Sequence, residues 1–126
     1  MGWWVREPDL LGEDVRWRRN ANREQTTLRQ VGGTLFVTPR RILFVPNRFD
    51  DATGGAEWSC ALSEVRDVTV EPAGLATPLP GRTAKLRRRL RVELASGDVE
   101  LFVVNRVEDA VAALREAIAR AKEQAR

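Results

Sequence analysis

Thr34-Leu35-Phe36-Val37-Thr38-Pro39-Arg40-Arg41-Ile42-Leu43-Phe44-Val45 is the stretch that decides the fold class. Its two runs, 34–38 and 41–45, are β-branched and aromatic, the side chains that suit a pleated and half-buried surface. Pro39 falls between them and presets φ for the first central position of a tight turn. The stretch reads as a β-hairpin.

Upstream of the hairpin, Asp14 to Arg19 alternates, with Val15 and Trp17 on one face, and reads as a first strand. Asn20 to Gly33 is polar and reads as a long connection. Residues 1–13 form an N-terminal lead-in, where Pro8 and Gly12 bracket one helical turn.

Downstream, Pro46 to Ala56 is a loop. Glu57 to Leu62 is a strand with Trp58, Cys60 and Leu62 on one side, and Arg66 to Glu71 is another with Val68 and Val70 inward. Pro72 to Lys85 is a second long loop. Leu86 to Leu94 alternates strictly, setting Arg87, Arg89, Arg91 and Glu93 against Leu86, Arg88, Leu90, Val92 and Leu94. Ser96-Gly97 turns the chain into a returning strand, Val99 to Val104. The period then changes from two to 3.6 residues. Val107, Val111, Leu114, Ile118 and Ala121 fall on one helical stripe with Ala110 and Ala117. Asn105 is placed to cap this helix, with Glu108 completing a capping-box-like start. Glu116 and Arg120 are spaced for an ion pair on its wet face. The sum is a mainly β fold of seven short antiparallel strands, closed by one helix that must bury its stripe at the mouth of a barrel.

Composition narrows the function. The chain has 126 residues, enough for one domain spanning residues 1–126 with a core of its own. It carries 43% hydrophobic and 31% charged residues and a net charge of +3. Lys and Arg outnumber Asp and Glu only 21 to 18, a balance too even to imply nucleic acid. Histidine is absent, which removes Ser-His-Asp and Cys-His nucleophile pairs and the usual zinc or copper ligand. The single cysteine, Cys60, excludes an internal disulfide framework and reads as a small buried hydrophobe. There is no phosphate-binding glycine loop ahead of a helix. No apolar run approaches the ~20 residues of a membrane helix. These features predict a cytoplasmic, non-enzymatic chain with no cofactor and no metal site.

Gly32-Gly33-Thr34-Leu35-Phe36-Val37-Thr38-Pro39-Arg40-Arg41-Ile42-Leu43-Phe44-Val45-Pro46 resembles the core of GRAM domains, which show a glycine-led strand followed by Leu-Thr-x-x-Arg-Leu-x-Phe. Trp58 to Val68 is similar to that family's Ile-Pro-Leu-x-x-Ile-x-x-Val segment, and Leu90 to Val104 to its final hairpin. The likeness covers residues 14–118. It implies the pleckstrin-homology fold, a seven-stranded antiparallel barrel of two roughly orthogonal sheets capped by one C-terminal α-helix. It also implies a binding module for proteins or lipids. The basic motif that pleckstrin-homology domains use for phosphoinositides is incomplete, with Arg18 and Arg19 at its first position and only Arg29 near its second.

The candidate binding residues form three groups. Arg87, Arg89 and Arg91 share one strand face, either as a contact for anionic lipid or as a solvated face paired with cross-strand acids such as Glu100. Leu75, Leu79, Arg82 and Lys85 lie on the long loop, as a contact loop or a mobile one. Arg16, Arg18 and Arg19 on the first strand, with Arg23 just after it, form a group read as a weak anion site or as surface charge. Trp3 and Trp4 are interface anchors or fold back on the barrel. The expected partners are a protein or a second copy of the chain, with an anionic membrane surface as the alternative. The arginine strand offers no stacking aromatics for nucleic acid.

Overall fold

The computed structural model describes residues 13–26, 29–47, 54–72 and 87–125. The strands are β1 (Trp17–Thr26), β2 (Arg29–Val37), β3 (Arg41–Pro46), β4 (Trp58–Ala61), β5 (Val65–Glu71), β6 (Arg89–Leu94) and β7 (Val99–Val104). A single helix, α1 (Val107–Gln124), follows them. Every neighbouring pair is antiparallel, in the order β4-β3-β2-β1-β7-β6-β5. Hydrogen bonding is continuous along this order, and the sheet curls into a half-barrel. Its two edge strands, β4 and β5, are joined by one 3-10 turn at Leu62–Glu64.

The hairpin stands where its sequence placed it. Leu35 pairs with Phe44 and Val37 with Ile42. Thr38 builds the turn, its Oγ1 accepting the N–H groups of Arg40 and Arg41 at 3.1 Å each. The same hydroxyl donates to Glu13 at 2.8 Å, and Arg41 Nε reaches the other oxygen of that carboxylate at 3.0 Å. Glu13 is thereby fastened to the hairpin. Gly33 is needed for close approach: a Cβ there would meet the Val45 carbonyl oxygen at 2.2 Å and Pro46 Cα at 2.8 Å. Gly97 takes φ 97° in the β6–β7 turn, a conformation costly for any residue with a Cβ.

The first two strands depart from the sequence reading. β1 runs through the expected connection to Thr26, and β2 starts at Arg29 rather than Thr34. Asn20-Ala21-Asn22-Arg23-Glu24 has poor strand propensity. Its conformation is imposed by pairing on both sides, with β2 and with β7. This is tertiary context overriding local preference.

Alternation then sorts the faces. Leu35, Val37, Ile42, Phe44, Leu90, Val92 and Phe102 turn inward and are buried with Cys60, Leu62 and Val68. Phe102 is the hub, its ring 5.8 Å from Phe44 and 5.6 Å from Trp58. A second buried cluster, Phe36, Leu43 and Val45, lies on the opposite face of β2 and β3.

Helix α1 packs on β5, the 3-10 turn, β6 and β7 through Val107, Ala110, Val111 and Leu114. Its expected cap is not used. Arg106 enters the helix in the left-handed region at φ 53° with no side-chain cap, which leaves Asn105 outside the first turn. The Asn105 amide oxygen accepts Arg87 Nη2 at 2.9 Å instead, and the Glu108 carboxylate pairs with Arg88. That contact holds the Glu108 carboxyl below its usual range. Glu116 and Arg120 do meet, at 2.6 Å.

Candidate functional site

The basic residues singled out from the sequence do not converge. Arg18 and Arg19 are neighbours on a strand, so they leave opposite faces. Arg18 lies over the Phe36 ring at 5.0 Å, on the outer face. Arg19 lies over Trp17 at 5.0 Å and donates to the carbonyl oxygens of Asn105 and Arg106 at 3.0 and 3.4 Å. Arg23 also turns inward. Its Nε bonds Glu100 at 2.8 Å and its guanidinium stands 5.8 Å from the Trp58 ring. The three therefore do not make one anion site.

The arginine strand is divided as well. Arg87 is exposed and held by Asn105. Arg89 is buried, and its Nη1 bonds both oxygens of Glu24 at 3.1 and 3.3 Å, reaching across β7. Burial removes Arg89 from any membrane contact. Arg91 lies between Glu71 at 3.5 Å and Glu93 at 3.0 Å. The anticipated partner Glu100 serves none of them, because it projects from the inner face of β7 while Arg89 and Arg91 are on the outer face. Leu75, Leu79, Arg82 and Lys85, together with Trp3 and Trp4, lie outside the described residues.

Cys60 is buried in the core, and loss of hydration, helped by Glu64 and Glu100, pushes its thiol up to about 12. Such a thiol is a packing group and a poor nucleophile at neutral pH. Among the described residues no group of three acidic or thiol side chains comes together to hold a metal ion.

A groove of about 360 Å³ opens between the C-terminal half of α1 and the start of the sheet. Trp17, Val37 and Pro39 form one wall, and Ala113, Ala117 and Ala121 the other. Arg16, Thr38, Glu116, Arg120 and Gln124 complete the lining. The three alanines are four residues apart and make one shallow ridge along the helix. Because α1 leans toward β5, β6 and β7, this ridge is only partly covered. Arg16 and Arg40, the latter next to Pro39 in the turn, make no ion pair among the described residues. Sequence reasoning placed Trp17 on an inward strand face and Ala117 and Ala121 on the buried helical stripe; they are partly buried and pack against the core while also lining the groove. The available signal was the alanine spacing at 113, 117 and 121, which leaves that side of the helix without large side chains.

No family model matches this chain, and no curated protein matches it. Solved structures do. The C-terminal domain of an unknown protein from Leishmania infantum is similar at 18% identity and TM-score 0.64, over 89% of this chain and 90% of that one. The hSac2 domain of the human phosphoinositide phosphatase Sac2 is similar at 16% identity and TM-score 0.56, over 94% and 74% of the two chains. The linker-DH/PH domains of p115-RhoGEF are similar at 10% identity and TM-score 0.58, over 88% of this chain but only 30% of that one. At these identities the likeness is one of fold, and the fold is pleckstrin-homology-like.

Proposed function

We propose that this chain is a non-catalytic module that binds a protein partner, with the groove between α1 and the β1–β2 corner as the docking site. Within the pleckstrin-homology-like fold, the hairpin at 34–45 and the segment 58–68 support GRAM as the finer family. The observation that carries the reading is the contrast in how side chains are used. Arg23, Arg66, Arg88, Arg89 and Arg91 are each engaged by a carboxylate of the chain itself. They are poorly placed to receive lipid headgroups. The groove, by comparison, presents Trp17, Pro39 and the alanine ridge to solvent, flanked by Arg16, Glu116, Arg120 and Gln124. Its occupant is a partner segment with one or two apolar anchors and a flanking acid that meets Arg16 or Arg40. No helix among the described residues is long and apolar enough to cross a membrane. The proposed place of action is the cytoplasm.

Peptides selected from a random phage-displayed library on the folded chain test this. Enrichment of apolar peptides bearing Asp or Glu, lost on Ala117→Arg, supports the reading. Arginine is a good helix former, so the variant keeps the helix while filling the groove. A concentration-dependent dimer in light scattering that the same variant abolishes identifies the partner as a second copy. No enrichment and no dimer, with firm flotation on phosphatidylserine vesicles at moderate salt, would replace it by peripheral lipid binding.

A further inference from the structure

The chain contains four asparagines, Asn20, Asn22, Asn47 and Asn105, and all four line one cleft of about 360 Å³. They come from separate places in the sequence. Asn20 and Asn22 are two residues apart on the outer face of β1, the central strand. Asn47 follows β3, its N–H bonded to the Gly32 carbonyl at 2.9 Å, and Asn105 follows β7. Register completes the walls: Asn20 faces Thr34, while Asn22 lies between Gly32 and Val103. Arg87 closes one side, its Nη2 2.9 Å from the Asn105 amide oxygen.

Asparagine is depleted in strands, and two on a central strand lower its propensity. Here they return no side-chain bond among the described residues. The Asn20 and Asn22 amides are exposed and make no hydrogen bond to a described residue. Gly32 adds a bare stretch of backbone between them and Asn47. Side chains that cost strand stability and bond to no described residue are placed to bond to something outside the protein.

The lining restricts the ligand. An amide both donates and accepts, which matches a hydroxyl that does the same, and Thr34 adds a hydroxyl of its own. The guanidinium suits one carboxylate or phosphate. Among the described residues no carboxylate lines the cleft, which disfavours metal ions and amines. Arg87, the single lining cation among the described residues, leaves a polyphosphate under-compensated. The volume lies in the range of small-molecule sites.

We infer that the cleft binds a small polyhydroxylated monoanion, a sugar acid or a polyol monophosphate. Arg87 takes the anionic group and the asparagine amides take the hydroxyls. This site lies apart from the helix groove and does not depend on protein binding there.

The chain has only three glutamines beside its four asparagines, so the side-chain NH2 resonances are few enough to assign individually. Titration of the isotope-labelled chain with galacturonate and with glycerol phosphate is expected to shift the asparagine pairs saturably and leave Gln30 and Gln124 still. The tighter of the two identifies the anion as carboxylate or phosphate. Asn22→Asp should weaken that binding about tenfold or more. Asn22→Gln should keep it within about threefold. The position is exposed, so both variants fold. The inference is overturned by the absence of saturable shifts with both probes, by an equal response to glucose or inorganic phosphate, by tighter binding of an inositol trisphosphate, or by unchanged affinity in Asn22→Asp.

Discussion

Two arginine–glutamate pairs hold β1 to the rest of the sheet from opposite sides. Arg23 meets Glu100 on the inner face beside Trp58, and Glu24 meets Arg89 on the outer face across β7. The two β1 residues are adjacent in sequence, yet they face different surroundings. The side chains of Arg89 and Glu24 are each 10% exposed, and Arg89 Nε has no hydrogen-bond partner. The side chains of Arg23 and Glu100 are 12% and 18% exposed, with an aromatic ring alongside. On α1 the same chemistry recurs as Arg120–Glu116, with both side chains more than half exposed. Burial, rather than charge, decides what each of these arginines contributes.

That comparison can be broken by substitution. The largest effect is expected for Arg89→Ala, which leaves Glu24 buried without this partner and should cost about 3–5 kcal/mol in urea unfolding. Arg89→Leu with Glu24→Leu should recover most of that loss, since an apolar pair removes both desolvation penalties. If the double variant stays as unstable as the single, the pair is not the source. Arg23→Ala is expected to cost less, about 2–3 kcal/mol, because water reaches Glu100 more readily.

Within the first pH unit above 9.0 a smaller loss, about 1 kcal/mol, should appear without any substitution. The Cys60 thiol is raised from 9.0 to about 12 in the folded chain. Above 9.0 the unfolded chain releases this proton while the folded chain keeps it, so unfolding is favoured progressively as pH rises toward 12. Cys60→Ala should flatten that part of the stability–pH curve, and identical curves would show that the thiol is not responsible. The smallest effect belongs to Arg120→Ala, about 0.3–0.5 kcal/mol and diminished by salt. A loss as large as that of Arg23→Ala would erase the distinction between exposed and buried pairs.

The hairpin was legible because two β-branched and aromatic runs flank Pro39, the returning strand because Ser96-Gly97 turns the chain into it, and the helix because its apolar side chains repeat every 3.6 residues. β1 was not, since Asn20, Asn22 and Glu24 give an alternation of polar with polar in which no face declares itself. The arginines misled for a related reason. Alternation placed Arg89 and Arg91 on one face correctly, but a period of two says nothing about which strands lie beside that face. Arg89 finds Glu24 sixty-five positions away. The groove was hidden because a stripe of alanines reads as core whether or not a neighbour arrives to cover it.

By itself the sequence determined the antiparallel strands, the terminal helix and the lack of histidine-based chemistry, all consequences of side-chain type and short-range spacing. Only the tertiary structure decided which charges neutralise one another, where the helix stops covering the sheet, and that four scattered asparagines meet in one cleft. Those outcomes depend on strand order and sheet curl, which bring distant residues to the same place.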